Sequence, residues 1–295
     1  MKFGKFFIVA LLILSLFPQS VPADKGIKFP WELLPKAKGL NESQKKTLIE
    51  EVFKKEFSYG KCPDTIYKCL LESSNDNIAI RLANFSAFLL SKGAPPKAIS
   101  LVIKERGKLA NPVKTFQFNL TDSPIYGNKE AKITLVEFAE FKCPYCQEIA
   151  PELKKLIDDS GGLVRQVFKH FPLKSHSGTV LSSRAAQSAH RQGKFWEMYE
   201  LLYRDREKQE LEQIMSYAME LGLDLDKFKK DMEDEALVKL IERDKIEGIK
   251  AGVDGTPTFF INGKHYNLRS DEAFLKDIIN EEAEGMGLPP PFKEW

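Results

Sequence analysis

The stretch "EFAEFKCPYCQEIAPEL", residues 137–153, holds two cysteines separated by a proline and a tyrosine. It continues "KITLV" at 132–136, so that "KITLVEFAEF" is a near-continuous apolar, β-branched run of the kind a buried strand requires. After the cysteines the period changes. Cys146, Ile149, Leu153, Leu156 and Ile157 fall on one face of a helix, with Glu148, Glu152, Lys155 and Asp158 elsewhere. Pro151 cannot donate to the carbonyl of Gln147, which predicts a kink. Two thiols therefore sit where a buried strand turns into a helix.

That position has chemical consequences. A cysteine at the helix start faces the unpaired N–H groups of the first turn, which favour its thiolate. Pro144 suits the first helical position, which needs no N–H. Cys146, three residues on, comes within bridging distance of Cys143. The spacing predicts an exposed, nucleophilic Cys143 and a Cys146 that resolves a mixed disulfide. A copper(I) or zinc site and a static disulfide are the other readings of a C-x-x-C pair.

Glu137, inside the apolar strand, is read as a buried acid of raised pKa that takes the proton of Cys146, against a solvated strand-edge glutamate. Thr256-Pro257, opening the strand in "GVDGTPTFFINGKHYNL", is a candidate cis bond whose Thr256 backbone would pair with an extended substrate; an ordinary trans proline is the alternative.

Outward from this centre, "LVRQVFKHF" after Gly161-Gly162 reads as a second strand, and 177–250 as a long helical segment. Asn262-Gly263 signals a type I′ hairpin, and a last helix spans 271–283. Upstream, "TFQFNL" alternates like a strand and "DSPIYGN" reads as a turn. Residues 42–110 read as helical throughout, a three- or four-helix unit with little core for independent stability.

Four motifs in this order, "LVEFAEFKCPYC", "VFKHFPL", "AAQSAHRQGKFWEMYELLY" and "GVDGTPTFFINGK", resemble the DsbA-like, thioredoxin-fold thiol–disulfide oxidoreductases. The resemblance covers residues 115–285. It implies an α/β thioredoxin fold with an inserted helical subdomain, preceded here by a small all-α domain. It implies Cys143 as nucleophile, Cys146 as resolving thiol, Glu137 as buried acid, and Thr256 with cis Pro257 beside them. Pro144-Tyr145 stands where the strongest oxidases carry Pro-His, which points to a less oxidising pair. The expected division is a signal peptide at 1–23, a helical domain at 24–112, the DsbA-like domain at 113–288 with its insertion at about 176–250, and a tail at 289–295.

The signal peptide rests on the uncharged run Phe6–Phe17, short of the roughly 20 residues of a membrane span, followed by Val21-Pro22-Ala23. An uncleaved anchor is the alternative. Export to a periplasm or the cell exterior permits disulfides. Cys62 and Cys69 would lie about 10 Å apart on a regular helix, beyond the roughly 7 Å limit, so a disulfide there needs a bend. A structural disulfide, a second redox pair and a metal site all remain open for them. His170, His176, His190 and His265 do not cluster and read as surface or supporting residues.

Removing 1–23 leaves 42 basic and 42 acidic residues, and no basic cluster with interleaved aromatics implies nucleic acid. No cofactor and no bound metal is expected. The expected function is exported disulfide exchange with cysteine-containing substrate proteins, coupled to a membrane or soluble redox partner. A copper or zinc metallochaperone is the alternative, and a homodimer through the N-terminal domain a further expectation.

Overall fold

The computed structural model describes residues 28–72 and 76–293; the expected signal peptide lies outside them. The N-terminal part contains α1 (Glu42–Thr47), extended by wider turns to Phe53, then α2 (Ile66–Glu72), α3 (Asn77–Ser91) and α4 (Pro96–Ala110). Asn41 and Gln44 form a reciprocal capping box on α1, satisfying two N–H groups that would otherwise lack partners. The segment is not helical throughout. Residues 54–65 form a loop pinned by a bridge between Phe57 and Thr65. Pro63 opens no helix, and the loop brings the Cα atoms of Cys62 and Cys69 to 5.7 Å, where a disulfide joins them.

The rest of the described chain is built on a five-stranded mixed sheet in the order β1 (Ile125–Gly127), β3 (Val164–His170), β2 (Ile133–Ala139), β4 (Thr258–Ile261), β5 (Lys264–Tyr266). β2 and β3 are parallel, joined through α5 (Pro144–Asp159); the other pairings are antiparallel. Pro151 lies inside α5 without ending it. Between β3 and β4 run α6 (Thr179–His190), α7 (Phe195–Arg204), α8 (Leu211–Glu220), α9 (Leu225–Glu233) and α10 (Glu235–Lys250). α11 (Glu272–Gly285) closes the chain. This is a thioredoxin fold with a helical insertion and a helical N-terminal region.

The period of two along β2 decides which side chains face which layer. Ile133 and Leu135 pack with α5 and α11, whereas Val136 and Phe138 pack with Phe260 and the chain after α10. Glu137 shares the α5 side. Gly248 lets α10 press on this second layer: a Cβ there would lie 2.8 Å from the Phe171 ring. At the hairpin, Asn262 and Gly263 both take positive φ, and a Cβ on Gly263 would meet the Phe116 carbonyl at 2.3 Å.

Two strand readings change. "TFQFNL" is extended but joins no ladder; Phe116 donates one hydrogen bond to Gly263 (2.8 Å). Its alternation serves packing instead, with Phe116 and Phe118 set edge-on against Phe260. β1 lies inside "DSPIYGN", being three residues long and too short to show a period. The expected tail is partly anchored: Phe292 is buried and exchanges two hydrogen bonds with Asn280.

The N-terminal helices share their core with Phe274 of α11. Polar contacts across the same boundary are buried or partly buried. Arg106 reaches Asp277 and Glu281, Arg81 reaches Asp277 and Glu284, and the Tyr59 hydroxyl donates to Glu281. Both Arg106 and Asp277 are almost wholly excluded from solvent, so each charge depends on the other.

Candidate functional site

Cys143 is the N-cap residue of α5 and Pro144 its first helical residue. Thr256-Pro257 is a cis peptide at the start of β4, which pairs with β2. These elements bring the Cys143 thiol to the Thr256 carbonyl, to which it donates at 3.2 Å. The expected exposure of Cys143 is not found: the residue is only 2% exposed, because the thiol turns onto the Thr256-Pro257 turn. The Thr256 carbonyl is correspondingly occupied by the thiol in this dithiol form. Tyr145 projects outward, 68% exposed.

The Cys143 thiol is lowered from 9.0 to about 6. A hydrogen bond from Cys146 is the largest cause, with the Thr256 hydroxyl and the backbone N–H groups of Cys146 and Tyr145 adding to it; burial opposes them. Cys146 is held well above its ordinary value, first by burial, then by its hydrogen bond to Cys143 and the charges of Glu137 and Cys143. The two thiols are thus split into one thiolate near neutral pH and one proton donor.

Glu137 lies wholly buried on the α5 face of β2. Burial raises its carboxyl from 4.5 to about 8, partly offset by a hydrogen bond from Gln166 at 2.6 Å; the Cys143 charge adds to the rise. Its second oxygen has no hydrogen-bond partner among the described residues, and neither has the buried Tyr199 hydroxyl. Tyr199 and Tyr203 belong to the same core as the two cysteines, brought there by α7 of the insertion.

Sequence reasoning missed Gln166, Tyr199, Tyr203 and Glu140. Glu140 is fully buried in the turn before Cys143, where it accepts from Lys142 N–H (3.0 Å) and the Thr179 hydroxyl and pairs with His176 (2.5 Å). An acid three residues before Cys143, in an apolar run, was the available signal. His170 is not a surface residue: it is buried beside Gln187, and burial lowers it to about 4. Cys62 and Cys69 lie in the N-terminal core, apart from the core holding Cys143 and Cys146. With Asp76 they place three ligand-type atoms within 4.8 Å, although the disulfide engages both sulfurs. No such group of three includes Cys143 or Cys146 among the described residues.

Comparison with known proteins agrees with this geometry. Residues 119–281 match the family described as Thioredoxin. A thioredoxin-like oxidoreductase from Silicibacter pomeroyi is 28% identical, with a TM-score of 0.51 over 55% of this chain and 93% of that one. Oxidised BdbD from Bacillus subtilis has the same fold at 24% identity, with a TM-score of 0.51 over 58% of this chain and 98% of that one. Among curated relatives, the Na(+)/H(+) antiporter NhaA 3 of Salinispora tropica is 37% identical over 172 residues, 58% of this chain and 26% of the antiporter. The chain spans about a quarter of the length of the curated relatives it matches. The chain belongs to the thioredoxin family, here with a helical subdomain inserted between β3 and β4.

Proposed function

We propose that the protein is an exported thiol–disulfide oxidoreductase that exchanges disulfides with cysteine-containing substrate proteins through Cys143-Pro144-Tyr145-Cys146. The observation that carries this reading is the split pair: a Cys143 thiol lowered to about 6 beside a Cys146 thiol raised over buried Glu137. In the reducing direction the Cys143 thiolate attacks one sulfur of a substrate disulfide and expels the other as a thiolate. Glu137, in its ionised form, takes the proton of Cys146, whose sulfur then attacks Cys143. The Cys143–Cys146 disulfide forms and the second substrate sulfur leaves. Oxidation of a substrate dithiol is the same path reversed. The Thr256 hydroxyl, without another partner, supports the thiolate when the substrate occupies the Thr256 backbone.

The N-terminal run of uncharged residues and the disulfide of Cys62–Cys69 support export, to a periplasm or beyond the cell. Among the described residues, no helix is long and apolar enough to cross a membrane. A membrane or soluble redox partner then resets the pair. Residues 24–112 are proposed as an attached helical domain, supported by a hydrophobic cluster drawn mostly from these helices and by the Arg106–Asp277 contact that joins it to α11. A solution mass that doubles with this domain and halves without it would identify it as a dimerisation arm. The metallochaperone reading stays the alternative; among the described residues no third His, Cys, Asp or Glu joins Cys143 and Cys146, as a zinc site would require.

The reduction potential of the Cys143–Cys146 pair tests the reading and assigns its direction. A value near about −120 mV marks a disulfide donor and one near about −270 mV a reductase. A Cys143→Ala variant that keeps full insulin-reducing activity would refute the mechanism.

A further inference from the structure

A cleft of about 530 Å³ opens beside the Thr256-Pro257 turn, between α5 and the segment leading into α11. Its α5 wall carries Glu148 and Glu152, one helical turn apart. Neither carboxylate has a hydrogen bond or ion pair among the described residues. The cations nearby are engaged elsewhere. Lys155 pairs with Glu272 at 3.0 Å. On the opposite wall Arg269 pairs with Asp271 at 3.1 Å and lies over the Phe274 ring. Asp271 in turn caps α11 through the Phe274 N–H. Lys155 also attracts Glu152 through its charge; with Glu148, Glu152 and Asp271 set against Arg269, the cleft lining is net negative. The exposed Tyr145 ring supplies apolar surface in the same cleft.

The cleft is continuous with the reactive centre. Thr256 and Pro257 line it, and the Thr256 carbonyl holds the Cys143 thiol. A substrate cysteine that reaches Cys143 along Thr256 must lay a neighbouring residue over Tyr145 and Glu148. An aliphatic stem ending in a cation matches this surface: the stem covers Tyr145, and the head meets Glu148 and Glu152. We infer that this site selects substrate cysteines flanked by lysine or arginine, a specificity that rests on the oxidoreductase reading above.

The test uses the full chain in its dithiol form and three synthetic peptides, each closed by one disulfide. The residue beside each cysteine is lysine, glutamine or glutamate. Enzyme dithiol and peptide disulfide give enzyme disulfide and peptide dithiol, followed by acid quench and mass spectrometry. Hydroxyethyl disulfide serves as an uncharged small oxidant. The lysine peptide should react about tenfold faster than the glutamate peptide at low salt, with a ratio that shrinks as salt screens the contact. Glu148→Gln/Glu152→Gln should bring the ratio close to one, while Glu242→Gln, an exposed acid on α10, should keep it. Thermal unfolding checks that both variants are folded. A flat series in the unaltered protein, with hydroxyethyl disulfide still reduced, overturns the specificity alone. So does a ratio that survives the double substitution. Failure to react with any of the four disulfides overturns the redox reading beneath it.

Discussion

Replacing Glu137 by glutamine should stabilise the folded chain at alkaline pH and change little in acid. Glu137 is wholly excluded from solvent, and burial moves its carboxyl from 4.5 to about 8. In the unfolded chain the group ionises near its ordinary value. Between these two points the folded protein keeps a proton that the unfolded chain has released. The stability contributed by the neutral acid is complete below about pH 4.5, erodes as pH rises, and is lost through pH 8. A span of about 3.5 pH units, at about 1.4 kcal/mol each, sets the loss at about 5 kcal/mol. Cys143 works in the opposite sense. Its thiol is depressed from 9.0 to about 6, so its contribution is present above pH 9 and is lost as pH falls through 6. The two slopes oppose each other near neutrality, and the comparison belongs in a Cys143→Ala background. The Ala change also removes the Cys143 charge, a minor cause of the Glu137 shift, while the burial remains. Urea unfolding from about pH 5 to pH 9 should show the glutamine variant gaining about 3–5 kcal/mol over its parent across that range. Stability curves that stay parallel over the whole range would refute a buried, neutral Glu137.

The same substitution in the otherwise unaltered protein should slow the resolution of a trapped mixed disulfide by about a hundredfold, because Cys146 loses its base; quenched mass spectrometry reads that step. Alkylation of Cys143 by iodoacetamide should follow a titration with its midpoint near pH 6, with Cys146 unreactive until well above pH 9; a midpoint for Cys143 near 9 would contradict the split pair. Arg106→Met should cost about 3–5 kcal/mol in urea unfolding, since it strands the buried Asp277 carboxylate. Cys62→Ser/Cys69→Ser should cost about 2–3 kcal/mol from the short loop it opens, while the Cys143–Cys146 reaction continues; loss of that reaction in a folded variant would assign the pair a redox role.

Much of the candidate site was legible in one dimension because its geometry is local. Strand β2, Cys143 at the cap of α5, Pro144 in the first turn and the Asn262-Gly263 hairpin all follow from hydrophobic period and turn chemistry within a few residues. The Glu137 reading followed from a carboxylate set in an otherwise apolar strand. Short or irregular elements were less legible. β1 has three residues and no period to detect, and the "TFQFNL" alternation buries two phenylalanines without forming a ladder. The loop at 54–65 is likewise set by contacts rather than by local preference.

What only the tertiary structure decided depends on pairs far apart in the chain. Gln166 meets Glu137 because β2 and β3 are parallel neighbours, and Tyr199 and Tyr203 join the cysteine core because α7 folds back over α5. Thr256 covers the Cys143 thiol from more than a hundred residues away, which is why an expected exposed sulfur is nearly buried. Arg106 finds Asp277 across the boundary between the N-terminal helices and α11. Sequence by itself determined which residues are suited to strand, cap, turn and thiol chemistry. Which of them are desolvated, which charges are compensated and which are left open to a substrate depends on long-range packing, since burial and Coulomb energy are set by distance in space rather than along the chain.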